Sequence, residues 1–149
     1  MENSGGPDLK VHQNKHHSYY AGVVGLWDTY RAAVPLLEIV KPDIANEYVQ
    51  TFLEHYKYAG QLPIWTLASN ETYQMLGLHS LPVITDCYKK GIRGFDAEKA
   101  FEAMKVTAMK DTTGFSMRCF VGLKNYKKIR IYSSRFRSGS NRSNTRVCL

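Results

Sequence analysis

Glu71 is the single charged side chain in the stretch IWTLASNETYQMLGLHS, residues 64–80. Its neighbours are Trp65, Asn70, Thr72 and Tyr73, with His79 further on. A solvated helix face carries several charges. A lone carboxyl beside Trp65 and Tyr73 suits proton transfer instead, because burial disfavours its charged form and keeps a proton available near neutral pH. The plainer reading makes Glu71 a first-turn helix residue favoured by the dipole, which works against a proton donor. His79 lies eight residues on. Two helical turns would bring it to the same face; a hydrogen-bonded core histidine fits the spacing equally well.

LWDTYR, residues 26–31, is the second such stretch. Trp27 offers a flat apolar face and Asp28 a charged acceptor. That pair suits a sugar ring, whose C–H face stacks while its hydroxyls donate to the carboxylate. A core tryptophan and an N-capping aspartate paired with Arg31 would use the same residues. His12, His16 and His17 form a loose cluster, but VHQNKHHSYY shows no helical apolar pattern to hold an i, i+4 metal pair, so no metal ligand is assigned. No phosphate-binding glycine loop, Ser-His-Asp signature or RNA-binding aromatic motif is present.

The elements that must position these residues read as mainly helical. SYYAGVVGLW is a short strand or an extended lead-in. DTYRAAVPLLEIV has helical spacing, with Asp28 or Thr29 as cap and a kink or break at Pro35. KPDIANEYVQTFLEHYKYAG is the clearest helix: Pro42 near its start, apolar Ile44, Tyr48, Val49, Phe52, Leu53 and Tyr56, and Gly60 as stop. QLPIWTLASNE reads as a loop. TYQMLGLHSLPVITDCYKKG reads as a helix with Pro82 inside it, ending at Gly91. DAEKAFEAMKVTAMK is a further helix capped by Asp96.

The chain has 149 residues, 44% hydrophobic and 22% charged, which is a globular composition. No apolar run reaches the roughly 18 residues of a membrane helix, and residues 1–10 lack the apolar core of a signal peptide. Cys87, Cys119 and Cys148 form no CxxC spacing. The net charge is +7, yet Lys127, Lys128, Arg130, Arg135, Arg137, Arg142 and Arg146, with no acid among them, supply all of it. Residues 1–126 carry 13 cationic and 13 acidic side chains. A neutral body argues against nucleic acid as partner. The competing class, a helical interaction domain whose basic tail binds acidic partners, would show steep salt dependence.

Taken together, YYAGVVGLWDTYRAAVPLL, GQLPIWTLASNETYQMLGLHSLPVITDCYKKGIRGFDAEKAFEAM and GLKNY resemble the family 92 glycoside hydrolases, which are α-mannosidases, over residues 11–128. The WDTYR, N-E-T-x-x-M-x-G-x-H and P-V-I-x-D-x-Y-x-K-G-I-R-G-F-D words stand in the family's order and near its spacing. The resemblance implies an N-terminal β-sandwich followed by a C-terminal (α/α)6 barrel, and calcium-dependent, inverting hydrolysis of terminal α-mannosides by enzymes that are usually exported. It implies that Glu71 is the proton donor, that Trp27 and Asp28 contact mannose, and that His79 lines the same pocket. The family usually has Phe-Ser before Leu-Trp-Asp; here Val24-Gly25 stand there.

The family's base carboxylates and calcium ligands fall downstream of these residues, and its β-sandwich upstream. The expected fold is therefore mainly α: several helices of an incomplete (α/α)6 barrel over residues 1–128, without the β-sandwich. Calcium belongs to the intact family enzyme, with no ligands for it in this chain. The expected partners are mannose-containing glycans and the remainder of the same enzyme. The chain by itself is expected to be inactive and poorly stable, since apolar helix faces lack partners. A non-catalytic mannose-binding remnant is the alternative within the resemblance.

Residues 129–149 read as a basic tail, out of frame and disordered. Permitted codons for IRIYSS, with one leading base removed, spell the family's Tyr-Gly-Tyr-Ile-Pro. TRVCL and a stop, treated alike, spell Leu-Glu-Tyr-Ala-Tyr. On this reading, deleting one base near codon 128 opens a frame encoding more of the barrel. A locus that closes again after that deletion would sink the idea.

Overall fold

Pro42 starts the longest of the described helices. In this computed structural model, which describes residues 2–3, 12–13, 16–22, 25–72, 74–75, 77–110, 123 and 128, helix α3 runs Pro42–Ala59. Proline suits the first helical position because its missing N–H would have no partner there anyway. Gly60 ends the helix in the left-handed region at φ 70°, its N–H bonded to the Tyr56 carbonyl at 2.8 Å. Both ends match the sequence reading.

Around α3 pack α1 (Leu26–Thr29), α2 (Ala33–Val40), α4 (Ser80–Lys89) and α5 (Ala97–Met109). Helix α3 contacts α2, α4 and α5, and so forms the centre of the described part. Val49 and Phe52 of α3 meet Leu26, Val34, Leu62, Val83, Ile84, Cys87, Ala100 and Ala103 in one apolar cluster. Asp96 caps α5 by accepting the Lys99 N–H at 3.0 Å, as its position in DAEKAF indicated. Among the described residues the strands are two short antiparallel pairs: β1 (Glu2–Asn3) with β2 (His12–Gln13), and β3 (Thr66–Leu67) with β4 (Asn70–Glu71). The mainly helical expectation holds. The tail beyond Lys128 and the boundary proposed there lie outside the described residues.

Three local expectations are corrected. Asp28 and Thr29 cap no long helix; they lie inside the four-residue turn α1, and Ala32 precedes α2 without a side-chain cap. Pro35 introduces no kink, because it is the third residue of α2, where its missing N–H has no helical carbonyl to lose. The break falls earlier, at Arg31–Ala32. Most consequentially, the described residues between Thr72 and His79 are not helical. Met75 sits at φ 64° and Gly77 at φ 86°, both incompatible with a right-handed helix, and α4 starts only at Ser80, two residues before Pro82.

The residues ahead of α1 lie across α3. The Tyr20 N–H donates to Thr51 Oγ1 at 3.3 Å, the Tyr20 hydroxyl donates to Glu47 at 3.0 Å, and its ring stacks on Tyr48. Tyr19 Oη meets His55 Nε2 at 2.7 Å inside the core. Burial pushes the His55 imidazole down from 6.5 to about 4. Below pH 6.5 the unfolded chain therefore takes up a proton that the folded chain refuses. Stability is fully present above pH 6.5 and declines as pH falls toward 4, by about 3 kcal/mol in total. Urea unfolding at pH 7 and pH 4 reads this directly, and His55→Gln should flatten the slope. A wild-type chain with equal stability at both pH values would remove His55 from the account.

Candidate active site

The N-E-T word closes a hairpin. In β3–β4, Thr66 faces Glu71 and Leu67 faces Asn70, so the two-residue turn is Ala68-Ser69. Both turn residues have positive φ, 47° and 67°. That is the turn whose twist suits adjoining antiparallel strands, but without glycine it carries about 1–3 kcal/mol of strain per residue. The word's side chains compensate. Asn70 Nδ2 donates to the Ala68 carbonyl at 3.0 Å. Thr72 donates through both its hydroxyl (2.8 Å) and its N–H (3.0 Å) to the Trp65 carbonyl.

Glu71 lies between these two. Its side chain is on the inner face of the hairpin with the fully buried Thr66, and the residue is 9% exposed. Oε2 accepts the Ile64 N–H at 2.6 Å, while the Trp65 N–H is shared between Oε1 and Oε2 at 3.2 Å each. The carboxyl is thus held from two consecutive backbone amides just ahead of β3. The buried carboxyl expected from the sequence is there, but on a strand instead of a helix N-terminus. The dipole objection to a proton donor falls away; the amide clamp replaces it.

Trp65 connects Glu71 to the other singled-out residues. Its indole meets that of Trp27 edge-to-face, with ring centroids 5.7 Å apart at 89°. Trp27 is half-buried, and Asp28 beside it is exposed, pairing with Arg31 at 3.5 Å. With both side chains 66% exposed, that pair contributes little to stability and leaves Asp28 open to an incoming hydroxyl. Gly25, at φ 56°, starts α1 in the left-handed region and fixes where Trp27 and Asp28 emerge. Tyr30, one turn on, packs against the His79 ring at 4.5 Å. His79 therefore joins the neighbourhood through Tyr30, not through a shared helix face with Glu71.

Two roles escaped the sequence reading. Trp65 contributes its backbone N–H to the carboxyl, a role no side-chain pattern shows. Gly77 gives His79 its place: a Cβ there would lie 2.1 Å from the His79 ring, so only glycine fits. The G-x-H spacing inside the N-E-T word carried that signal. Tyr73, the other expected apolar neighbour, lies outside the described residues. Among the described residues, no three His, Cys, Asp or Glu side chains are placed to hold a metal ion. A shallow surface depression on α5 lined by Asp96, Phe101, Glu102 and Lys105 shares no residue with this site.

Residues 2–147 match the model of the glycosyl hydrolase family 92 catalytic domain. An α-mannosidase of that family from Bacteroides thetaiotaomicron is 34% identical, with a TM-score of 0.70 over 83% of this chain and 16% of its own. The same enzyme solved in complex with mannoimidazole gives the same score and identity over 15% of its length. An inverting family 92 mannosidase from that organism is 29% identical, at TM-score 0.69, over 81% of this chain and 16% of its own. This chain thus spans about a sixth of the length of these enzymes. Comparison with curated proteins returned no similar one.

Proposed function

Because the chain belongs to glycosyl hydrolase family 92, we propose that it supplies the acid side of a site for inverting hydrolysis of terminal α-mannosides, with Glu71 as proton donor. The observation that carries this reading is the placement of one buried carboxyl, held by the Ile64 and Trp65 amides, next to a pair of tryptophans. In an inverting glycosidase a carboxylic acid protonates the leaving oxygen, and a second carboxylate about 6.5–9.5 Å away activates water on the opposite face.

Oε2 accepts the short Ile64 bond and part of the Trp65 bond, and Oε1 takes the other part of the Trp65 bond. Trp27 offers its face to the sugar's C–H side, Asp28 accepts its hydroxyls, and His79 borders the same space. Asp28 is not the water-activating carboxylate, because the family places that role elsewhere and its exposed pair with Arg31 keeps it a hydroxyl acceptor. The barrel helices described here resemble those of the mannosidases named above; calcium, which the family resemblance implies, has no ligand set among the described residues.

The same two amide bonds favour a second reading, a mannose-binding remnant in which Glu71 only holds the hairpin. Either reading expects mannoimidazole to change the emission of Trp27 and Trp65 saturably. Asp28→Ala should weaken that binding about tenfold or more, the size of a lost hydrogen bond to a charged group. A flat titration counts against both readings, and the leaving-group comparison in the Discussion separates them.

A further inference from the structure

A hairpin of two-residue strands does not hold itself together in water, yet this one must aim Glu71. A chain of contacts leads from its turn into the core. The Ser69 N–H donates to the Ala21 carbonyl at 2.7 Å. Ala21 stands two residues after Tyr19, whose phenol is pushed up to about 12 by burial, with Ser69 opposing. Tyr19 Oη meets His55 Nε2 at 2.7 Å. His55 is 1% exposed on α3, and the Tyr19 and His55 rings lie 5.7 Å apart. Tyr19 is 4% and Ser69 6% exposed, so the Tyr19–His55 bond is shielded from water.

A phenol has one proton to give and can also accept. When the Tyr19 hydroxyl donates to Nε2, His55 carries its hydrogen on Nδ1, which has no hydrogen-bond partner among the described residues. The turn residue Ser69 stands two positions before Glu71, and the Thr66–Glu71 pair is the first beyond the Leu67–Asn70 pair that flanks the turn. Movement of Ser69 is therefore transmitted to the carboxyl that takes the Ile64 and Trp65 amides.

We propose that the Ser69–Ala21 backbone bond and the Tyr19–His55 bond form a positioning relay that ties the strained turn to α3 and so sets the orientation of the Glu71 carboxyl. The relay rests on the reading of Glu71 as proton donor only for its purpose; its existence is measured independently of activity. In the ¹⁵N-labelled 149-residue chain, Tyr19→Phe keeps the ring and removes the hydroxyl. Amide exchange at Ile64 and Trp65 is expected to rise about tenfold, the size of one lost buried hydrogen bond. The deshielded Ile64 amide proton should move upfield, while the Val49 and Phe52 amides of α3 keep their rates. His55→Gln retains an acceptor for the Tyr19 hydroxyl and should preserve wild-type exchange, whereas His55→Leu should not. Unchanged rates at Ile64 and Trp65, an equal rise throughout α3, or His55→Gln behaving as His55→Leu would overturn the relay. Loss of the leaving-group effect at Glu71 would overturn the proton-donor reading and leave these exchange rates untouched.

Discussion

Glu71→Gln, placed in a full-length family 92 enzyme carrying this segment, lowers turnover of an alkyl α-mannoside by about 100- to 10,000-fold, the usual contribution of a general acid. An aryl mannoside whose leaving group departs without a proton is expected to lose far less. The substitution is conservative where it matters. The glutamine carbonyl can still accept the Ile64 N–H that now reaches Oε2 at 2.6 Å, so the hairpin keeps its main anchor and only the transferable proton is removed. Equal losses on both substrates would mean that the side chain holds the fold or the sugar, and the mannose-binding remnant would then be the better reading. A bell-shaped pH profile that loses its alkaline limb in Glu71→Gln would add independent support, because that limb reports the acid.

Lys90→Met is expected to destabilise the chain by about 3–5 kcal/mol, the cost of stranding a buried charge. Glu38 projects from α2 with its side chain fully shielded from water. Its Oε2 meets Lys90 Nζ of α4 at 2.5 Å, and its Oε1 accepts the Cys87 thiol at 3.3 Å. Burial pushes the Glu38 carboxyl up, with Lys90 and Cys87 opposing and Asp86 adding to the rise. Asp86 also bonds Lys90 at 2.8 Å. Without Lys90, the carboxylate has to take a proton or admit water, and the α2–α4 seam loosens. Replacing both partners, Glu38→Met with Lys90→Met, should recover most of the loss, since an apolar pair of similar volume often matches a buried ion pair. The urea midpoint at constant slope is the readout. A double variant as unstable as the single one would show that the pair contributes more than mutual neutralisation.

What was legible in the sequence follows from which interactions are local. Helix α3 was readable at both ends because Pro42 and Gly60 act through their own backbone geometry. Asp96 was readable because a cap reaches only to the N–H three residues on. Glu71 was readable as a solitary carboxyl, and its burial holds. Its setting was misread because an apolar spacing near 3.6 residues appears in TYQMLGLH without a helix: Met75 and Gly77 take positive φ, which no side-chain pattern records. The grouping of Trp27, Trp65 and Glu71 depends on a ring contact between residues 38 positions apart and on a backbone donor, so family words could mark these positions but not their geometry. The Tyr19–His55 bond, 36 positions apart, left no sequence trace at all.

The outer face of α2 has a consequence for assembly. Leu36, Ile39 and Val40 are 59%, 72% and 56% exposed there, one turn apart on one side of the helix. The Glu71 clamp closes a loop of only seven residues, whereas the Glu38–Lys90 link closes one of 52. Short loops form within about 10–100 ns and at small entropic cost. The hairpin contacts can therefore form and reopen early, to be held once α3 is in place, while α2 still waits for α4. During that interval Leu36, Ile39 and Val40 are a sticky surface of the unfinished chain. Encounter between two such chains then competes with completion of one, so recovery on refolding should fall as chain concentration rises.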